Sequence, residues 1–96
     1  MFVLALQTDL HIPAARSLKA KRSVIRSIVE GARVRFGVAA SEVDHHDLWG
    51  RSSLGFAAVA ATADHVVNVI DEVERFVWSH PEVEVTNTER RWADES

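Results

Sequence analysis

The sequence contains no cysteine. Disulfides, thiolate zinc sites, iron–sulfur clusters and a cysteine nucleophile are therefore excluded. It has only two prolines and four glycines, with no internal repeat, linker or low-complexity run. Hydrophobic residues make up 47% of the chain, enough Val, Leu, Ile, Phe and Ala to offset the entropy of ordering it, so disorder is excluded as well. Long apolar runs are also missing. The segment Phe2 to Leu6 is too short to cross a bilayer and lacks a basic flank, so neither a membrane span nor a signal peptide is expected, and the cytoplasm is the expected location. Ninety-six residues make one domain, expected over residues 1–92 with a frayed tail at 93–96, because a second unit could not bury its own core.

What is present is unevenly charged. The net charge is −3, yet seven cations (Arg16, Lys19, Lys21, Arg22, Arg26, Arg33 and Arg35) fall between residues 16 and 35 with a single anion, Glu30. The remainder carries four cations and thirteen anions. The whole-chain charge argues against indiscriminate nucleic-acid binding, whereas the local block predicts a positive surface.

Hydrophobic periodicity divides the chain into six elements. Met1 to Ile12 alternates, with Phe2, Leu4, Leu6 and Leu10 on one parity, and reads as a half-buried strand stopped by Pro13. Ser17 is placed to cap a helix running to about Phe36, where Gly37 ends it; its apolar side is Leu18, Ile25, Ile28, Val29, Ala32 and Phe36. Strands are expected from Val38 to about His46 and from Arg51 to Thr62, joined by a turn at Asp47 to Gly50. Thr62 or Asp64 caps a second helix with the stripe Val66, Val69, Ile70, Val73, Phe76 and Val77, and Ser79-His80-Pro81 closes it. The last strand runs from Glu82 to Trp92, with Val83 and Val85 inward. The order βαββαβ, with right-handed connections, predicts an α+β ferredoxin-like sandwich: a four-stranded antiparallel sheet in order 4-1-3-2 with two helices on one face.

Two separated segments, Ser17-Leu18-Lys19-Ala20-Lys21-Arg22-Ser23 and Glu42-Val43-Asp44-His45-His46-Asp47-Leu48-Trp49, resemble the YlxP-like family of small uncharacterised bacterial proteins. The resemblance extends from Val3 to about Trp92 and includes Pro81-Glu82-Val83-Glu84-Val85. It implies the same ferredoxin-like fold, and genes often found beside translation-initiation and ribosome-maturation factors. It implies no established reaction. His46 stands where many relatives would carry a polar residue such as Gln, so no required role is transferred to it.

The topology gathers the chain's polar chemistry at one edge of the sheet. Arg16, Lys19, Lys21 and Arg22 lie in or just before the first turn of helix one, where the helix dipole favours anions and disfavours cations. A bound phosphate would relieve that conflict, since free N–H groups at a helix start also favour an anion. Lys19, Arg22, Arg26 and Arg33 fall within one sector of the helix and could follow a sugar–phosphate backbone. Arg16, Lys19, Lys21, Arg22, Arg26 and Arg51 are accordingly the expected RNA or anion contacts, with Asp44, His45, Asp47 and Trp49 shaping the edge. The competing expectation is internal neutralisation by Asp9, Asp44 and Asp47, with Arg26 and Arg33 pairing to Glu30.

Asp44-His45-His46-Asp47 has metal-ligand residue types. Adjacent strand residues point to opposite faces, however, so His45 and His46 could not share an ion without His11 or His80. No metal site and no cofactor are assigned. Ser52 and Ser53 lack the glycine-rich oxyanion loop of a nucleophilic site, and no catalytic motif is recognised. Ala58 and Ala61 occupy positions where an RNA-recognition module needs stacking rings, and Phe2 and Phe56 are expected to face the helices. The functional expectation is therefore a non-enzymatic RNA-binding or ribosome-associated accessory protein. The alternatives are a small-anion or metal-binding module at the same edge, or a protein–protein adaptor. Acidic residues of helix two (Asp64, Asp71, Glu72 and Glu74) would suit a basic protein partner. The opposite sheet face, with Val3, Ala5, Ala57, Val59 and Ala61 and with Trp92 at one end, is small and apolar and is expected to make the chain a homo-oligomer, most simply a dimer.

Overall fold

The structure, a computed structural model, describes residues 1–93. Strands β1 (Phe2–His11), β2 (Ala39–Asp44), β3 (Arg51–Ala60) and β4 (Glu84–Trp92) and helices α1 (Leu18–Phe36) and α2 (Ala63–Trp78) follow in the order βαββαβ. The sheet order is β2-β3-β1-β4, every pair antiparallel, as the alternating sequence segments predict. Local chemistry sets the helix ends. Ser17 is extended (φ −162°) and its hydroxyl accepts the Ala20 N–H at 3.0 Å. Thr62 does the same for the His65 N–H at 3.2 Å. Gly37 ends α1 in the left-handed region (φ 65°), and its N–H closes on the Arg33 carbonyl, a conformation glycine enters without a Cβ penalty.

Both helices pack on one face of the sheet. Leu4, Leu6, Leu10, Leu54 and Phe56 point into this layer and meet Ile25, Ile28, Val66, Ile70, Val73 and Val77 from the helices. Between the helices, Gly31 lets the Phe76 ring approach the α1 backbone: a Cβ there would lie 2.6 Å from Phe76 Cζ. Phe36 and His80 meet the Phe76 ring edge-on, with centroids 5.5 and 4.6 Å away, and the Arg35 guanidinium lies 5.1 Å from its centroid.

Three expectations are corrected. β2 stops at Asp44, β3 at Ala60, and β4 begins at Glu84, each two residues short of its sequence-based limit. The parity of β4 also changes along its length. The register passes from Leu10↔Val85 to Asp9↔Asn87, so Thr86 is an extra residue. Such a bulge moves every later side chain to the other face. Trp92 consequently pairs with Leu4 and lies on the helix side, its ring 6.3 Å from Phe2, rather than at the end of the open face. At the C-terminus, the Ala93 N–H donates to the Val3 carbonyl at 3.0 Å, which ties down the first residue expected to fray; residues 94–96 of that tail lie outside the described residues. Among the described residues, no helix is long and apolar enough to cross a membrane.

Candidate nucleic-acid interface

The cations of α1 divide according to helical phase. Lys21 is four residues before Ile25 and seven before Ile28, which puts it on the buried stripe, and it is only 1% exposed. Its ammonium has three partners. Nζ lies 2.8 Å from Glu42 Oε2, donates to the His45 carbonyl, and reaches the His46 carbonyl at 3.4 Å. Glu42 Oε2 also accepts the Ser52 hydroxyl at 2.6 Å. Lys21 is thus removed from the expected anion contacts. Burial takes it out of solvent, and its three protons are spent fastening α1 to β2 and the β2–β3 turn.

The turn that carries Asp44, His45, Asp47 and Trp49 is tied to α1 through the His45 and His46 carbonyls, which Lys21 holds. His45 occupies the left-handed region (φ 63°). Its N–H is held by Asp44 Oδ1 at 2.7 Å, and its carbonyl by Lys21 and by the Leu48 N–H. Trp49 is about half exposed. Of the carboxylates expected to neutralise the helix cations, Asp47 has no hydrogen-bond or ion-pair partner among the described residues, and the other two are engaged elsewhere. Asp44 accepts its neighbour's N–H, and Asp9 sits on the other side of the sheet with Ser53 and Asn87. The partner of Lys21 is Glu42, which the sequence reading did not single out.

Arg51 is likewise separated from the helix cations. Its partner in the register is His11, so it belongs to the open face, turned away from α1, where His11 Nδ1 meets Glu84 Oε1 at 3.0 Å. Arg16 donates to the Pro13 carbonyl at 3.0 Å. Arg33 donates to the Ala40 carbonyl at 2.6 Å and lies 3.9 Å from Glu30, and Arg35 covers the Phe36 and Phe76 rings.

Three cations remain: Lys19, Arg22 and Arg26. All are exposed, and among the described residues none has an ion-pair or hydrogen-bond partner. With Ser23, Ser27 and Glu30 they form one solvent-facing strip along the outer side of α1. The two serines add hydroxyl donors that charge-based reasoning passed over, although each directly follows an arginine and the two share that residue pair's four-residue spacing. No aromatic ring lies among the residues of this strip. The open sheet face offers no stacking platform either, because its central positions hold Val3, Ala5, Ala57 and Val59, while Phe56 is buried under the helices.

The acidic side of α2 is largely consumed internally. Arg90, which the β4 bulge places on the helix side, donates to Asp71 and Glu74, each at 2.8 Å, and Arg75 pairs with Glu72 at 3.1 Å. On the open face, the Asp9 carboxyl is held below the usual carboxylate range. The main cause is the Ser53 hydroxyl, which donates to it at 2.7 Å; partial burial opposes this, and Gln7, Asn87 and the charge of nearby His45 assist. A depressed folded-state pKa contributes stability above the unfolded value of about 3.9, and that contribution is lost as pH falls through the folded pKa. Ser53→Ala should therefore raise the Asp9 pKa toward the ordinary value and weaken this acid-side contribution. Carboxyl NMR titration checks it; an unmoved Asp9 titration would mean that the remaining donors hold the carboxylate.

Residues 3–90 match the family described as "Protein of unknown function (DUF503)", and the chain belongs to that family. A curated relative, "Uncharacterized protein YlxP" of Bacillus subtilis (strain 168), is 37% identical over 78 residues, covering 81% of this chain and 85% of its own. Among solved structures, a de novo designed protein with a ferredoxin fold, determined by solution NMR, aligns with a TM-score of 0.55 at 12% identity over 99% of this chain and 88% of its own. That similarity concerns the fold alone.

Proposed function

We propose that this DUF503 protein is a non-enzymatic, cytoplasmic RNA-binding accessory protein that holds phosphates on the outer face of α1. One observation carries the reading. Of the seven cations in the basic block, the three without a protein partner among the described residues, Lys19, Arg22 and Arg26, share one exposed strip of α1 with two serine hydroxyls and, at its far end, the Glu30 carboxylate. Guanidinium, ammonium and hydroxyl donors in a row suit phosphate oxygens. With no aromatic ring in the strip to stack a base, the contact is to the backbone and tolerant of sequence. The resemblance to proteins whose genes neighbour those of translation factors makes ribosomal RNA the first ligand to try.

The test is fluorescence anisotropy with a short labelled RNA duplex over a range of salt. Three neutralised phosphates should give a log–log salt slope of about −2.7. Arg22→Ala should reduce its magnitude by about 1 and leave the melting temperature unchanged. Lys19→Glu, Arg22→Glu and Arg26→Glu together should abolish binding. A wild-type protein with no RNA affinity at low salt overturns the reading. Saturable binding of inorganic phosphate without RNA affinity would favour the small-anion alternative, and unchanged affinity in the triple variant would place the interface elsewhere.

A further inference from the structure

The open face of the sheet is arranged in cross-strand rows that the register makes explicit. One row runs Ala39, Ala57, Ala5 and Arg91 from β2 to β4. The next runs Ser41, Gly55, Gln7 and Glu89. Three alanines, a serine and a glycine make the middle of the face low, and they line a shallow trough of about 460 Å³. Gly55 leaves room for Val43, which leans across the space: a Cβ at position 55 would lie 2.9 Å from Val43 Cγ1. Val59, one row beyond, is 64% exposed, an unusual state for a β-branched side chain on a central strand.

The charges at the β4 end of these rows are opposite and adjacent. Arg91 Nη2 lies 3.2 Å from Glu89 Oε1, both well exposed. Consider a two-fold axis lying in the plane of the interface, perpendicular to the strands and midway between the two rows. It turns each row onto the other row of a second copy. Ala57 then faces Gly55 of the second copy, Ala39 faces Ser41, and Arg91 faces Glu89 twice over. The β4 end of the face is thus complementary to itself in charge, which an isologous contact can use. Small residues at its centre present no bulk that would hold the two sheets apart.

We infer that this face binds a second copy of the chain, sheet against sheet, with two reciprocal Arg91–Glu89 pairs at the β4 edge beside a centre of small residues. The helices then lie on the two outer sides of the dimer. This conclusion is independent of the polyanion reading, since α1 is on the other side of the sheet, and Arg22→Glu should leave the assembly intact.

Sedimentation equilibrium from low to high micromolar concentration tests it, with circular dichroism confirming the fold of each variant. The wild-type chain should be dimeric. Ala57→Arg, which fills the low centre, and Arg91→Glu, which sets like charges opposite one another, should each raise the dimer dissociation constant at least about tenfold. Glu89→Arg combined with Arg91→Glu restores opposite charges across the axis and should recover the dimer. The intrachain Arg91–Glu89 pair is exposed, so its loss alone should barely affect folding. A wild-type protein that remains monomeric throughout overturns the inference. So does a dimer indifferent to both single variants, which would indicate edge pairing through β2 or β4. A charge-swapped double variant that stays monomeric while folded would refute the reciprocal pairing.

Discussion

Lys21→Ala should lower the unfolding free energy by about 3–5 kcal/mol, the usual consequence of removing one partner from a buried ion pair. Arg22→Ala, one position along, should change it by no more than about 0.5 kcal/mol, as expected of a surface substitution. The two side chains have similar charge and neighbouring places in the sequence, so the contrast isolates burial. Loss of Lys21 leaves the Glu42 carboxylate among half-buried groups with only the Ser52 hydroxyl, and deprives the His45 and His46 carbonyls of a donor. It also removes an aliphatic stem from the layer between α1 and β2. Urea denaturation of both variants measures the difference. Lys21→Met combined with Glu42→Gln should recover much of the loss, because the stem returns and no charge remains unpaired. Equal stability of Lys21→Ala and the wild type would mean that the ion pair does not form in solution.

Gly31→Ala should destabilise the protein, against the helical propensity of the two residues. In an open helix interior, replacing Gly with Ala stabilises by about 1 kcal/mol. Here the new methyl carbon would lie 2.6 Å from Phe76 Cζ and 3.2 Å from Cε2. The ring has little freedom to retreat, because Phe36 and His80 abut it and Arg35 covers it. Overpacking of this kind costs about 1–3 kcal/mol, so the net effect is a loss. Phe76→Leu in the Gly31→Ala background should recover stability relative to Gly31→Ala alone, since the shorter side chain vacates the contested space. Thermal or urea melts of the three variants read the sign directly. A stabilised Gly31→Ala protein would show that Phe76 moves aside freely.

Several site residues were legible before the fold was known, and for identifiable reasons. Lys19, Arg22 and Arg26 are spaced by three and four, so one side of a helix must carry them all. Gathering the Asp44 to Trp49 turn beside the start of α1 follows from strand order alone. Other assignments failed where a distant partner decided them. Counting charge in the first helical turn groups Lys21 with Arg22; helical phase with Ile25 and Ile28 turns Lys21 inward, but only folding supplies Glu42, the partner that lets its charge stay there. Arg51 was correctly placed near the edge yet on the wrong side of it, because proximity along a sheet edge does not specify the face. The acidic residues of α2 seemed free for a partner until the structure placed Arg90 between Asp71 and Glu74.

By itself the sequence determined what depends on near neighbours: the alternation that makes β1 and β3 strands, the 3.6-residue stripes of both helices, the caps at Ser17, Thr62 and Gly37, and hence the order βαββαβ and its sheet. These are governed by steric and hydrogen-bonding preferences that act over a few residues. Tertiary structure alone decided which charges are spent and which are left for a ligand. Lys21 meets Glu42 across 21 positions, and Arg90 meets Glu74 across 16 and Asp71 across 19. The bulge at Thr86, visible only in the pairing of β4 with β1, put Arg90 on the helix side and Glu89 and Arg91 on the open face. An ion pair forms only when folding brings its two charges together, and a strand's parity is set by its partner's register; neither is encoded in any single segment.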